Sequence, residues 1–183
     1  MSKLFIPIVL GTAREGRVSE IVARYVFKEI TALAVFETQF VDVRDFLFGK
    51  TEEYSKSAEP WKQIMEKADG LIIVSPEYNH SFHGELKILI DSIEDEYNKK
   101  PVAVIGVSSG RIGGARMADN IKPTLLTLGM VPLSETITFP KSKELFGPDG
   151  TILDESYQKR IADLVREMEW FARTLKEARK THA

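Results

Sequence analysis

Three short runs of apolar residues constrain this chain more than any other feature. Leu4 to Leu10, Gly70 to Val74 and Val102 to Val107 lack the polar alternation that a strand with one wet face requires, so they read as strands buried on both sides. Segments with helical periodicity lie between them. Ile21, Val22, Tyr25, Val26 and Ile30 fall three and four apart, as do Leu86, Leu89, Ile90 and Ile93, which gives each segment one apolar stripe. Phe36 to Val43 is rich in β-forming residues and reads as an outer strand. Pro60 to Lys67 opens with a proline suited to a first helical turn. A helix with Met117, Ile121, Leu125 and Leu128 on its stripe follows Gly114 and ends at Gly129. Val131 to Phe139 supplies a fifth strand, and beyond a turn at Gly147 to Gly150 a long closing helix carries Tyr157, Ile161, Leu164, Val165, Met168, Phe171 and Leu175.

Strand and helix in alternation, with connections this short, predict a parallel sheet joined by right-handed crossovers and covered on both faces. The expected fold is therefore α/β, a three-layer α/β/α sandwich. A chain of 183 residues suits one well-cored domain, and no repeat, low-complexity segment or linker offers a boundary, so residues 1–183 read as a single domain. The formal net charge of -2 provides no basic field for nucleic acid or an anionic membrane, and neither is expected as a partner. With no cysteine, disulfides, thiol nucleophiles and thiolate metal sites are excluded. The opening MSKLFIPIVLGTAREG reads as a first strand in a cytoplasmic protein, because its apolar run is too short to span a bilayer.

Ligands of open parallel sheets bind beyond the carboxyl ends of the strands, where strand order reverses. Three loops leave such ends here. In the first, GTAREGRVSE, Gly11 and Gly16 permit close approach, Thr12 and Ser19 offer hydroxyls, Arg14 and Arg17 offer guanidinium donors, and the helix start offers free amides. Those are parts of a phosphate site; the ordinary alternative is a helix cap by Ser19 with exposed arginines. The loop has neither the Walker A lysine nor the GxGxxG spacing, so a monophosphate suits it. The second loop, SPEYNHSFHG, fixes the chain at Pro76 and then offers the ring of Tyr78 and the amide of Asn79. Glu77 reads either as an acid or base or as a carboxylate that accepts from backbone amides. His80 and His83 read as surface or subunit-contact histidines, and no metal is assigned. The third loop, SSGRIGG from Ser108 to Gly114, makes a concavity of backbone amides. With strand order 2-1-3-4-5 the three loops line one crevice, the outline of a flavin mononucleotide site.

The GTAR first loop, the PEYN motif followed by the helix GELKILIDSI, and the SSGRIGG loop together resemble the NAD(P)H-dependent FMN reductases over almost the whole chain. The resemblance implies a flavodoxin-like fold, FMN and NAD(P)H as cofactors, and hydride passing from nicotinamide to flavin and on to free flavin, a quinone, an azo dye or a metal oxyanion. It implies that Thr12, Arg14 and Ser19 hold the FMN phosphate, that Pro76, Glu77, Tyr78 and Asn79 line the ring and ribityl edge, and that Ser108 and Gly110 face the pyrimidine end. Arg111 is assigned to the extra phosphate of NADPH. The protein contributes no acid or base of its own, since the flavin carries the chemistry. Two departures stand out: Arg17 and Val18 intervene before Ser19, and Ser92 follows Asp91 where the family often has tryptophan. Phe82 and His83 are expected to protrude without a partner in their own chain, which points to a homodimer or homotetramer. The alternatives are a flavodoxin-type electron carrier, which Arg14, Arg17 and Arg111 argue against, and a non-catalytic flavin-binding sensor.

Overall fold

A computed structural model describes residues 3–46 and 58–181. Its elements run in the order β1 (Leu4–Leu10), α1 (Ser19–Ala32), β2 (Phe36–Asp42), α2 (Glu59–Lys67), β3 (Leu71–Pro76), α3 (Gly84–Asp91), β4 (Pro101–Val107), α4 (Ala115–Thr127), β5 (Val131–Pro132), β6 (Ile137–Phe139) and α5 (Ser156–Thr181). The strands pair in parallel as β2-β1-β3-β4-β5, the order 2-1-3-4-5 anticipated from the sequence, with β6 also beside β4.

Alternation along each inner strand sorts its side chains between two cores. Leu4, Ile6, Ile8 and Leu10 of β1, Ile72 and Val74 of β3, and Ala103, Ile105 and Val107 of β4 meet α1 and α5 on one face. Val9, Leu71, Ile73, Val102 and Val104 meet α2, α3 and α4 on the other. Both faces are thus apolar, which is why these runs show no alternation in the sequence. Each Ile or Leu so buried stabilises the fold by roughly 1.5–3 kcal/mol.

The single strand expected over Val131 to Phe139 is two. Val131 and Pro132 pair with Pro101 and Val102, whereas Ile137 to Phe139 pair with Ile105 to Val107, so residues 133–136 stand against only residues 103–104 of β4. Leu133 still donates to the Val102 carbonyl at 2.9 Å and is buried, and the surplus is taken up by the exposed Ser134 and Glu135. The bulge sits on the edge strand, where an interrupted ladder costs least.

At the amino end of the sheet, charged groups are closely paired. Asp69, which precedes β3, is 5% exposed; it accepts from the Phe5 amide at 3.1 Å and from Lys176 Nζ at 2.8 Å, with Arg179 Nη2 3.8 Å away. Arg179 also donates to the Lys99 carbonyl at 2.6 Å. Lys100, 7% exposed, donates to the Met65 carbonyl in the last turn of α2. Burial, followed by the nearby Arg179 charge, lowers the Lys100 ammonium to about 8. These contacts tie α5 and α2 to the foot of the sheet. Among the described residues no helix is long and apolar enough to cross a membrane, and no group of three or more His, Asp and Glu side chains could hold a metal ion.

Candidate functional site

The parallel pairing brings the carboxyl ends of the inner strands together. Gly11 donates to the Val74 carbonyl at 2.9 Å, Glu77 to Val107 at 3.0 Å, and Ser108 to Phe139 at 3.1 Å, so each loop leaves the sheet beside the next.

The first loop is braced from both sides. Arg17, 7% exposed, donates to the Thr12 carbonyl, pairs with the Asp42 carboxylate through both terminal nitrogens, and reaches Glu20 Oε2 at 3.3 Å. Burial opposes ionisation of Asp42, but the Arg17 guanidinium and the Arg44 amide outweigh it and hold the carboxyl below its ordinary value. From the outside, Arg44 donates to the Ala13 carbonyl at 3.0 Å and to the Arg14 carbonyl at 2.7 Å. Arg17 is therefore spent on the loop itself, while Arg14 is exposed and its guanidinium, among the described residues, bonds only the Tyr78 hydroxyl, at 3.4 Å. Gly16, at φ +63°, turns the chain through the left-handed region toward α1.

Val18 occupies the cap position of α1 without a side-chain bond, so the ordinary capping role for Ser19 is not formed. Ser19 is instead the first helical residue, 3% exposed, and its Oγ has no partner among the described residues. Among the described residues the amides of Glu15, Gly16, Arg17, Val18 and Ser19 also lack acceptors. A buried hydroxyl at a helix start, amid unpaired N–H groups, is arranged to receive an anion.

In the second loop, β3 runs on through Pro76 to a tight reverse turn. Tyr78 and Ser81 exchange both backbone bonds at 2.9 Å, with Asn79 at φ 50° and His80 at φ 66° between them. Positive φ at both central residues defines a type I′ turn, which costs an L-residue about 1–2 kcal/mol per position. The turn directs Tyr78 inward and leaves Asn79 exposed. Glu77 Oε2 is buried without a partner among the described residues. Phe82 and His83 do not protrude as expected. Phe82 packs on the apolar core beneath α3, while His83 lies edge-on to Tyr78, with ring centroids 4.5 Å apart, and meets Glu85 through Nδ1. Burial, followed by the Arg14 charge, pulls the His83 imidazole below its ordinary value.

The third loop folds back on its own strand. Gly114 has φ +88°, and a Cβ there would stand 2.4 Å from the Val107 amide nitrogen, so only glycine permits the approach. Ser108 Oγ is turned to the Gly110 carbonyl at 3.2 Å, whereas the amides of Ser109, Gly110 and Arg111 have no partner among the described residues. A further segment after β6 is stitched to this loop, since Lys141 donates to Gly110 at 2.9 Å and Ser142 to Ser108 at 3.0 Å.

These loops enclose a cavity of about 370 Å³, within the range of small-molecule sites. Of the residues singled out from the sequence, Arg14, Ser19, Pro76, Glu77, Tyr78 and Ser108 line it. Thr12, Asn79, Gly110 and Arg111 do not. Thr12 is fully buried behind the loop, its carbonyl on Arg17 and its hydroxyl 3.4 Å from the Arg14 amide. Asn79, Gly110 and Arg111 are exposed outside the lining. Ser142 and Lys143 complete the wall and were missed, because the segment after β6 reads in sequence only as a connection.

The sequence pattern of the NADPH-dependent FMN reductases matches residues 6–144. An NAD(P)H-dependent FMN reductase of Pseudomonas aeruginosa is 29% identical over 128 residues, 67% of this chain and 69% of its own length. A quinone reductase of Escherichia coli is 30% identical over 143 residues, 73% of this chain and 75% of its own. The solved structure of FerB, a flavoenzyme NAD(P)H:(acceptor) oxidoreductase from Paracoccus denitrificans, superposes with a TM-score of 0.76 at 24% identity, covering 93% of this chain and 98% of that one. The fold is the flavodoxin-like α/β/α sandwich. The chain belongs to the NADPH-dependent FMN reductase family, oxidoreductases that bind FMN and draw on NAD(P)H. The cavity fits that cofactor: an orphaned buried hydroxyl and free amides at one end suit a phosphate, and the third loop's free amides suit the carbonyl edge of a ring.

Proposed function

We propose that residues 1–183 form a single FMN-binding domain whose cavity holds the cofactor with its phosphate against the start of α1 and its ring between the second and third loops. Bound FMN supplies the hydride chemistry, from NAD(P)H to a second acceptor such as free flavin, a quinone, an azo dye or a metal oxyanion. The observation that carries the reading is Ser19, a buried hydroxyl without a partner in a wall of unpaired amides.

In this reading Arg14 supplies the phosphate's guanidinium partner, while Ser19 and the amides of residues 15–19 supply neutral donors. Thr12 acts behind them, shaping the loop through Arg17 and the Arg14 amide. Pro76 and Tyr78 form one wall, and Asn79 serves the turn that aims Tyr78. Glu77 Oε2 is free to accept from a ligand N–H or O–H group. Ser108 shapes the opposite loop, whose Ser109 amide, in the lining, donates to a pyrimidine carbonyl, where charge grows on reduction, while the free amides of Gly110 and Arg111 stand at the rim. Lys143 adds a cation to the wall, and the Arg111 side chain, exposed at the rim, pairs with the extra phosphate of NADPH. Assembly as a homodimer or homotetramer belongs to the same reading. It is supported by exposed apolar side chains, Ile112 in the third loop and Leu126 on α4, and no longer by Phe82.

Titration of the apoprotein with FMN and with riboflavin tests the placement of the phosphate. FMN is expected to bind at least about tenfold more tightly, the worth of a charge-assisted contact with its neighbours. Equal affinities would overturn the assignment of the first loop.

A further inference from the structure

The turn in the second loop is held from α4, through groups that have no part in the roles assigned above. Asn79 and His80 both occupy the left-handed region, so the turn is strained and needs support. Two side-chain bonds provide it. Ser81 Oγ donates to Asn120 Oδ1 at 2.7 Å, and Arg116 Nη1 lies 2.7 Å from His80 Nε2. A guanidinium has only N–H groups to offer, so Nε2 is the acceptor, and His80 is neutral with its proton on Nδ1. Tyr78, at the start of the turn, lines the cavity, and its hydroxyl accepts from Arg14. A line of contacts thus runs from the exposed side of α4, through the turn, to the arginine of the first loop.

We propose that Arg116 and Asn120 are positioning residues for the cavity wall, and that His80 makes their hold on the turn sensitive to protonation. Protonated His80 has a donor at both nitrogens, so it loses the bond from Arg116 and sets two cations face to face. Among the described residues no carboxylate pairs with His80 to offset that charge. Asp119, next to Asn120 on α4, faces Lys122 at 3.7 Å; Glu85 meets His83; Glu77 lines the cavity; Arg14 adds a further positive charge across Tyr78. Release of the turn loosens Tyr78 and, with it, the hold on Arg14. The ligand then binds a wall that must first be ordered, and affinity falls accordingly.

The inference rests on the FMN reading of the cavity, and the experiment separates the two. Apoprotein is titrated with FMN near neutral and near mildly acidic pH, alongside Arg116→Met, Asn120→Ala and His80→Gln. Near neutral pH, Arg116→Met and Asn120→Ala are expected to bind about three- to tenfold more weakly at unchanged thermal midpoint, the worth of one hydrogen bond each. His80→Gln keeps an acceptor for Arg116 and stays close to the wild type. In mildly acidic solution wild-type affinity falls toward that of Arg116→Met while His80→Gln does not follow. Ionisation of the FMN phosphate affects all four proteins alike and cancels from the ratios. Equal affinity of Arg116→Met and wild type near neutral pH, or a wild-type to His80→Gln ratio that is the same at both pH values, would overturn the proposal. Should wild type bind no FMN at all, the FMN reading fails. Hydrogen-exchange protection of the Tyr78 and Ser81 amides in the apoprotein then decides alone: a drop in Arg116→Met supports the hold from α4, and equal protection removes it.

Discussion

At the amino end of the sheet Asp69 is buried and takes bonds from the Phe5 amide and Lys176 with Arg179 close by, whereas at the carboxyl end Arg14 is exposed and Ser19 Oγ and Glu77 Oε2 have no partner among the described residues. The strands between them are the same. A buried polar group left unsatisfied costs about 1–3 kcal/mol, so the open groups at the carboxyl end weaken the isolated fold, and the paired groups at the other end hold it. On the proposed reading of the cavity, the contrast separates stability from binding within one set of strands, and each end can be disturbed alone.

The largest effect is expected from Asp69→Ala. It strands the Phe5 amide and removes the anion from beside Lys176, Arg179 and Lys100, for a loss of about 3–5 kcal/mol in denaturant unfolding with FMN affinity unchanged. A variant that lost FMN affinity while keeping its stability would erase the distinction between the ends.

Lys100 gives the next effect, through pH. Its ammonium titrates at about 8 in the fold against 10.5 ordinarily, so between those values the unfolded chain binds more protons and stability rises with pH. The rise amounts to at most about 3 kcal/mol. Tyr25, pushed up to about 12 by burial, and the deeply buried Tyr97, also raised, act the opposite way above about pH 10, because the fold holds their protons longer. The measurement is therefore the difference between wild type and Lys100→Met, which should shift in favour of the wild type from about pH 8 to 10. A constant difference would mean that Lys100 is charged in the fold throughout.

Smaller still are the effects at the open end. Arg14→Ala is expected to weaken FMN binding about tenfold at low salt and less at high salt, because the exposed guanidinium is screened. Arg111→Ala should leave FMN affinity alone and raise the apparent KM for NADPH. FMN titration and steady-state kinetics on the two variants separate these roles; equal FMN affinities would place the phosphate away from the first loop.

Much of this contrast was legible in the sequence. The unbroken apolar runs gave the buried strands, because both faces of each are covered by helices. The Gly16 turn, the PEYN corner and the glycines before α4 located the loops of the cavity. The sequence did not reveal which arginine was free: Arg14 and Arg17 lie three residues apart in the same loop, and only the approach of Asp42 from β2 commits Arg17 to the loop itself. The bulge at residues 133–136 was hidden because a strand and a bulged strand share one composition. Lys143 was hidden because its wall depends on pairing between loops far apart in the chain. Phe82 was misread for a related reason, since the core that receives it comes from other elements.

Anaerobic reduction tests the central claim most directly. Protein loaded with FMN and freed of excess flavin is mixed with NADPH or NADH while the absorbance of oxidised flavin is followed, and a quinone is then added. The visible bands are expected to bleach on addition of the nicotinamide and to return with the quinone, without any separate reductase. Flavin that stays oxidised for hours under excess NADPH and NADH would contradict the account and leave a carrier or a sensor in its place.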